Sequence, residues 1–173
     1  MPALCAIGMF AGVACHHGGT ARSNDAYAAV AGDTTVRGIV RTSGSEPATQ
    51  VELRPPDNSR GVAVLGILRA EIESLTGVTI SATGQPVPNQ MPSPARAIDV
   101  RYYEVVSVGD TPARGGTLMR TGTALRVAGA RDTVELAEPV PERLTTLVGR
   151  RVYVAGTIEN RRMVVQAFGA VGQ

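Results

Sequence analysis

The chain has 173 residues, of which 43% are hydrophobic and only 3% aromatic, with no tryptophan. That is enough apolar mass for one domain or two small ones, with a core built from aliphatic side chains. All 17 basic residues are arginine, against 15 acids, and a net charge of +2 is too weak to mark a nucleic-acid binder.

Residues 3–14 form an apolar run of about a dozen residues, shorter than the roughly 20 that cross a bilayer as a helix. The run fits the apolar region of a signal peptide. Small residues lead into Cys15, and the polar stretch 16–25 follows. The tetrapeptide Gly12-Val13-Ala14-Cys15 resembles the lipobox of bacterial lipoproteins. This resemblance implies that residues 1–14 are removed as a signal peptide and that Cys15 becomes the lipidated first residue. Residues 15–33 then serve as a flexible tether, and the chain sits on the cell envelope facing the periplasm or exterior. Each buried CH₂ of an acyl chain adds about 0.8 kcal/mol of membrane affinity, so more than one chain makes the hold stable. Two features depart from the pattern: Gly12 stands where Leu is usual, and no Arg or Lys precedes the apolar run. Ala26-Tyr27-Ala28 offers a different cleavage site, for ordinary secretion, and an uncleaved N-terminus is the third route. Acylated Cys15, a free terminus at Ala29 and an intact Met1 distinguish the three. His16 and His17 beside Cys15 make three adjacent ligands with no fold around them, so no metal is assigned there.

Strand signals then begin. Residues 35–41 alternate, and residues 49–54 place Val51 and Leu53 opposite Gln50, Glu52 and Arg54. Turn-rich residues separate them, so the pair reads as a hairpin. Val62 to Leu65 is a short buried strand. Ile67, Leu68, Ile72 and Leu75 recur at helical spacing, and Gly77 stops the helix. Residues 78–83 are a strand with Val78, Ile80 and Ala82 on one face. A Pro-rich excursion spans 85–94. Residues 97–106 are the longest strand candidate, with Ile98, Val100, Tyr102 and Val106 on one face.

The order strand, strand, strand, helix, strand, strand over residues 34–109 resembles the OB-fold, a small five-stranded barrel. A split β-sandwich with one helix fits the same order. Residues 110–173 repeat part of the pattern. Leu75-Thr76-Gly77 through Gly84 and Leu147-Val148-Gly149 through Gly156 share the frame Leu-x-Gly-x-x-[Ile/Val]-x-[Ala/Val]-x-Gly. Each copy follows a short helical stretch, 66–75 and 141–147. Shorter strands are expected at 123–127 and 133–136, and a last one at 162–171. The fold class is therefore mainly β with short helices, an OB-like small barrel in two degenerate tandem copies.

Chemistry is marked by what is missing. The two histidines, His16 and His17, precede the folded part, and so do both cysteines, Cys5 and Cys15. No Ser-His-Asp set, thiol nucleophile or phosphate-binding glycine loop is available. The acids Glu71 and Glu73, and the loose group Asp132, Glu135, Glu138 and Glu142, lack the spacing of a calcium loop and read as solvated charge. No catalytic residue, metal or cofactor is assigned.

One feature stands above this background. Alternation places Arg101 and Tyr103 outward in the first half, and Arg151 and Tyr153 outward in the second. Arg150-Arg151 and Arg161-Arg162 bracket one strand. These residues are the candidate binding face, suited to an envelope protein or an anionic glycan. A surface strand with amphipathic tyrosines is the plainer reading of the same residues. Too few aromatics and export both argue against nucleic acid. Two further functions stay open: a carrier holding a small ligand in a groove between the halves, and an envelope hydrolase that works without histidine.

Overall fold

The structure, a computed structural model, describes residues 31–45, 49–57, 59–88 and 96–172. The expected signal segment 1–14, Cys15, the expected tether up to residue 30 and the rival Ala26-Tyr27-Ala28 site lie outside the described residues. Ten strands and two short helices follow in chain order: β1 Thr34–Ser43, β2 Gln50–Arg54, β3 Val62–Leu65, α1 Arg69–Glu73, β4 Val78–Pro88, β5 Arg96–Val108, β6 Thr111–Thr121, β7 Ala124–Ala128, β8 Thr133–Leu136, α2 Glu142–Thr145, β9 Arg151–Glu159 and β10 Arg162–Ala170. The protein is mostly β, as its composition and alternation require.

The first five strands pair in a circuit. β1 pairs with β2, β2 with β3, β3 with β5 in parallel, β5 with β4, and β4 returns to β1. The last five follow the same path: β6 to β7, β7 to β8, β8 to β10 in parallel, β10 to β9, and β9 back to β6. A short pairing of β5 with β6 joins the two circuits.

Alternation drives the burial. In β4, Val78, Ile80 and Ala82 are buried and the residues between them are only partly covered. Val40, Val51, Leu53, Val64, Leu68, Ile72 and Leu75 join them in the first apolar core. Each such aliphatic side chain contributes about 1.5–3 kcal/mol when fully buried. Ala113, Ala155 and Val171 from the second half also belong to this core, whereas Leu118, Val127, Leu144, Val152, Val154 and Met163 form a separate cluster.

The Leu-x-Gly frame has a physical counterpart in both halves. Gly77 (φ 88°) donates its N–H to the Val40 carbonyl at 2.9 Å, and Gly149 (φ 86°) donates to the Leu118 carbonyl at 2.8 Å. Val78 and Arg150 each donate at 2.9 Å to the carbonyl of the preceding frame leucine, Leu75 and Leu147. The closing glycines match too. At Gly84 a β-carbon would overlap the Asp99 carbonyl, and at Gly156 the Val164 carbonyl. Both face a strand that carries one extra residue, Arg101 in β5 and Gln166 in β10.

That extra residue corrects the expected faces of β5. Val100 pairs with Gly84, but Tyr102 pairs with Thr83, so Arg101 is bulged and the alternation reverses behind it. Tyr103, expected outward, is 1% exposed and lies in the first core beside Val105. Val106, expected inward, is the extra residue of a second irregularity and is only partly buried.

Three other expectations shift. The Pro-rich excursion is in part strand: β4 runs on to Pro88, opposite Arg96. Beyond Gly84 it has no β1 partner, and proline is tolerated where its missing N–H would face an unpaired edge. Both helices are shorter than expected. β6 was not among the expected strands. Gly116 permits close approach, since a β-carbon there would overlap the Ala128 carbonyl of β7.

Neither Gly77 nor Gly149 has anything within 4 Å of an added β-carbon. Alanine at either position therefore meets only the backbone penalty of the left-handed region, about 1–2 kcal/mol. Urea unfolding of Gly77→Ala and Gly149→Ala is expected to show similar losses of that size.

Candidate functional site

The expected Arg/Tyr face is not one flat surface. Arg101 is a half-exposed bulge residue held by Asp33 at 3.5 Å and Gln85 at 2.9 Å. Tyr153 is half-buried, with its ring lying across Gly169 of β10 and packing against the first core. Arg150 is exposed beside the α2 turn. Tyr103 and Arg151 meet inside, at the junction of the halves.

Their meeting point is Glu71 on α1. Its Oε1 accepts hydrogen bonds from the Tyr103 hydroxyl and from Arg151 Nη1. Arg151 Nη2 lies 3.5 Å from the Tyr103 hydroxyl, and the guanidinium carbon is 5.8 Å from the Tyr103 ring centroid. The Arg151 and Glu71 side chains are 27% and 19% exposed, so the pair is shielded from bulk water on most sides. Burial pushes the Tyr103 hydroxyl well above the usual tyrosine range, because the phenolate would lose its hydration. Burial also raises Tyr102, to about 12, helped by its 2.6 Å hydrogen bond to Glu104.

Glu71 read as solvated charge in the sequence. The signal that could have found it is its spacing. It lies three residues after Leu68 and four before Leu75, on the same helical stripe as the buried leucines. An acid on an apolar stripe needs a partner, and here it has two donors.

Beside this junction is a cleft of about 240 Å³ between the halves. Arg114 and Arg131 form part of its wall, tied to Asp132 at 3.4 Å and Glu104 at 3.2 Å.

A second cleft, of about 360 Å³, lies at the β9–β10 turn and gathers two of the expected residues, Arg161 and Arg162. Arg162 Nε is 2.8 Å from Glu135 Oε1, and Arg126 Nη2 is 2.9 Å from Glu135 Oε2. The hydrogen bond from Arg126, with the charge of Arg162, holds the Glu135 carboxyl below its ordinary pKa. Asn160 (φ 48°) and Arg161 (φ 65°) form the turn itself in left-handed backbone. Arg161 is exposed and has no ion-pair partner among the described residues. Arg126 was missed in the sequence, because only the β7–β8 pairing of Arg126 opposite Glu135 brings it here.

Among the described residues, no group of three His, Cys, Asp or Glu side chains could hold a metal ion. No helix among them is long and apolar enough to cross a membrane. Comparison with protein-family models, with curated proteins and with solved structures gives no match.

The raised Tyr103 fixes a pH dependence. Above about pH 10 an unfolded tyrosine loses its proton while folded Tyr103 keeps it. The folded state then binds the extra proton, so stability falls as pH rises, by up to about 1.4 kcal/mol per pH unit for one group. Urea unfolding between pH 9 and pH 11 should show this fall, and Tyr103→Phe should make it shallower. Equal slopes in both proteins would contradict the assignment.

Proposed function

We propose that the chain is an exported, lipid-anchored envelope module of two OB-like barrels that binds an anionic group on a glycan or protein partner. Gly12-Val13-Ala14-Cys15 supports export and an anchor at Cys15. The two identical pairing paths, the matching Leu-x-Gly hydrogen bonds and the matching bulges opposite Gly84 and Gly156 support tandem copies of one small barrel.

The observation that carries the binding reading is the cleft at the β9–β10 turn. Three guanidinium groups, Arg126, Arg161 and Arg162, gather around one carboxylate, Glu135. The lining keeps a positive excess, with Arg126 and Arg162 on strands and Arg161 on the turn. Guanidinium is planar, permanently charged and weakly hydrated, so it suits bidentate contact with an oxyanion. Glu135 holds Arg126 and Arg162 in place and competes with any incoming anion. A non-catalytic role is supported by the absence of histidine and cysteine after His17. It is also supported by the pairing of the inter-half cleft acids, Glu104 and Asp132, with arginines in open surroundings.

A second reading rests on the inter-half cleft. Its walls alternate Arg114, Arg131, Glu104 and Asp132, so it suits a small dipolar solute better than an apolar cargo.

Calorimetric titration of the full chain with a uronate oligosaccharide tests the first reading. Arg162→Ala is expected to weaken binding about tenfold, the loss of one charge-assisted contact. Glu135→Gln is expected to tighten binding, because the internal competitor is gone. No effect of either substitution would contradict it.

A further inference from the structure

Arg161 occupies a position that a different residue would fill at lower cost. A two-residue hairpin turn with both central residues left-handed favours Asn followed by Gly, because glycine meets no β-carbon clash there. The first position here is the favoured Asn160, and the second is Arg161 at φ 65°. Arginine there is strained by about 1–2 kcal/mol. Strained residues of this kind cluster at ligand-binding and functional sites.

The surroundings define what it is needed for. The Glu135 carboxylate spends one oxygen on Arg126 and the other on Arg162, which neutralises one of the two. Arg161 is not engaged by any acid among the described residues. Among the lining residues the formal charge is three guanidinium groups less one carboxylate, a surplus of two, with Glu159 opposite Arg162 in the ladder just outside that lining. A monocarboxylate would leave half of that surplus uncompensated, whereas a tetrahedral dianion would meet all of it. Thr133 on β8 and Asn160 add a hydroxyl and an amide to the same lining, donors that suit the remaining oxygens of such a group.

We infer that the β9–β10 turn is a site for a phosphate monoester carried on a sugar, with the strained Arg161 retained as its selecting cation. This rests on the anion-binding reading above and narrows it to one class of ligand. Arg161 makes the contact that distinguishes a dianion from a monoanion, and Arg126 and Arg162 serve either.

The full chain would be titrated with glucose 6-phosphate and with glucuronate, a sugar of the same ring size bearing one carboxylate. The expected result is at least about tenfold tighter binding of the phosphate ester. In Arg161→Gly that advantage should vanish while the melting temperature rises by a few degrees, since the left-handed strain is relieved. Arg41→Ala, an exposed arginine on β1 far along the chain from the turn, should leave both affinities unchanged. Vesicles containing phosphatidic acid provide the lipid-borne source of the same group, and binding to them with equal affinity per phosphate would overturn the assignment to a sugar. Equal affinity for the two sugars, sensitive to Arg162→Ala, would overturn the dianion inference and leave anion binding standing. Binding of neither sugar would remove both. An Arg161→Gly chain that is more stable and still prefers the phosphate ester would show that the strain serves something else.

Discussion

A single carboxylate on a five-residue helix ties the two halves of the molecule together. Glu71 cannot face its apolar surroundings alone, since an unpaired charge there would be strongly disfavoured. The Tyr103 hydroxyl and the Arg151 guanidinium satisfy it, one from each half. Removing one partner of a fully buried pair costs about 3–5 kcal/mol, and the partial exposure of this pair lowers that figure. Its effect is geometric as much as energetic. Once Arg151 is seated on Glu71, β9 is held against the first half. The chain end then lies against α1, with the Val171 N–H on the Arg151 carbonyl at 2.9 Å and the Gly172 N–H on Ser74 Oγ at 3.0 Å. Ala113, Ala155 and Val171 complete the first core from outside its own strand circuit.

Much of this fold was legible in the sequence where one rule acted alone. Alternation located β1, β2, β4 and β9, a short apolar run located β3, and the Leu-x-Gly frame located two turns that use the same hydrogen bonds. The misses came where two rules competed. In β5 the alternation was real, but the bulge at Arg101 reversed it, and nothing in Val100-Arg101-Tyr102-Tyr103 announces a bulge. Its cause lies on the neighbouring strand, where Gly84 lets the backbones approach. β6 was not read as a strand at all, and it forms because β9 pairs with its first half and β7 with its second. Glu71 was visible in the helical spacing and was set aside as surface charge.

The same competition redistributed the expected binding residues. Alternation was expected to turn Arg101, Tyr103, Arg151 and Tyr153 outward, with Arg150, Arg161 and Arg162 bracketing one strand. The bulge turned Tyr103 inward, and the pull of Glu71 drew Arg151 after it. Arg161 and Arg162 kept their exposure because a hairpin turn projects them beyond the sheet. They gained Arg126 through the β7–β8 pairing, which no spacing along the chain reveals. An interface of mixed Arg and Tyr thus became two separate features. One is a shielded junction with a structural task, and the other is an open cationic cleft with charge to spare.

The coupling of the halves is the central claim, because it sets the geometry of the cleft between them. Native-state amide hydrogen exchange on the full chain tests it most directly. If Glu71 and the shared core make the halves one cooperative unit, the slowest amides of β1 and β4 and those of β9 open with the same free energy. A lower opening free energy for β6 to β10, with β1 to β5 still protected, would contradict it.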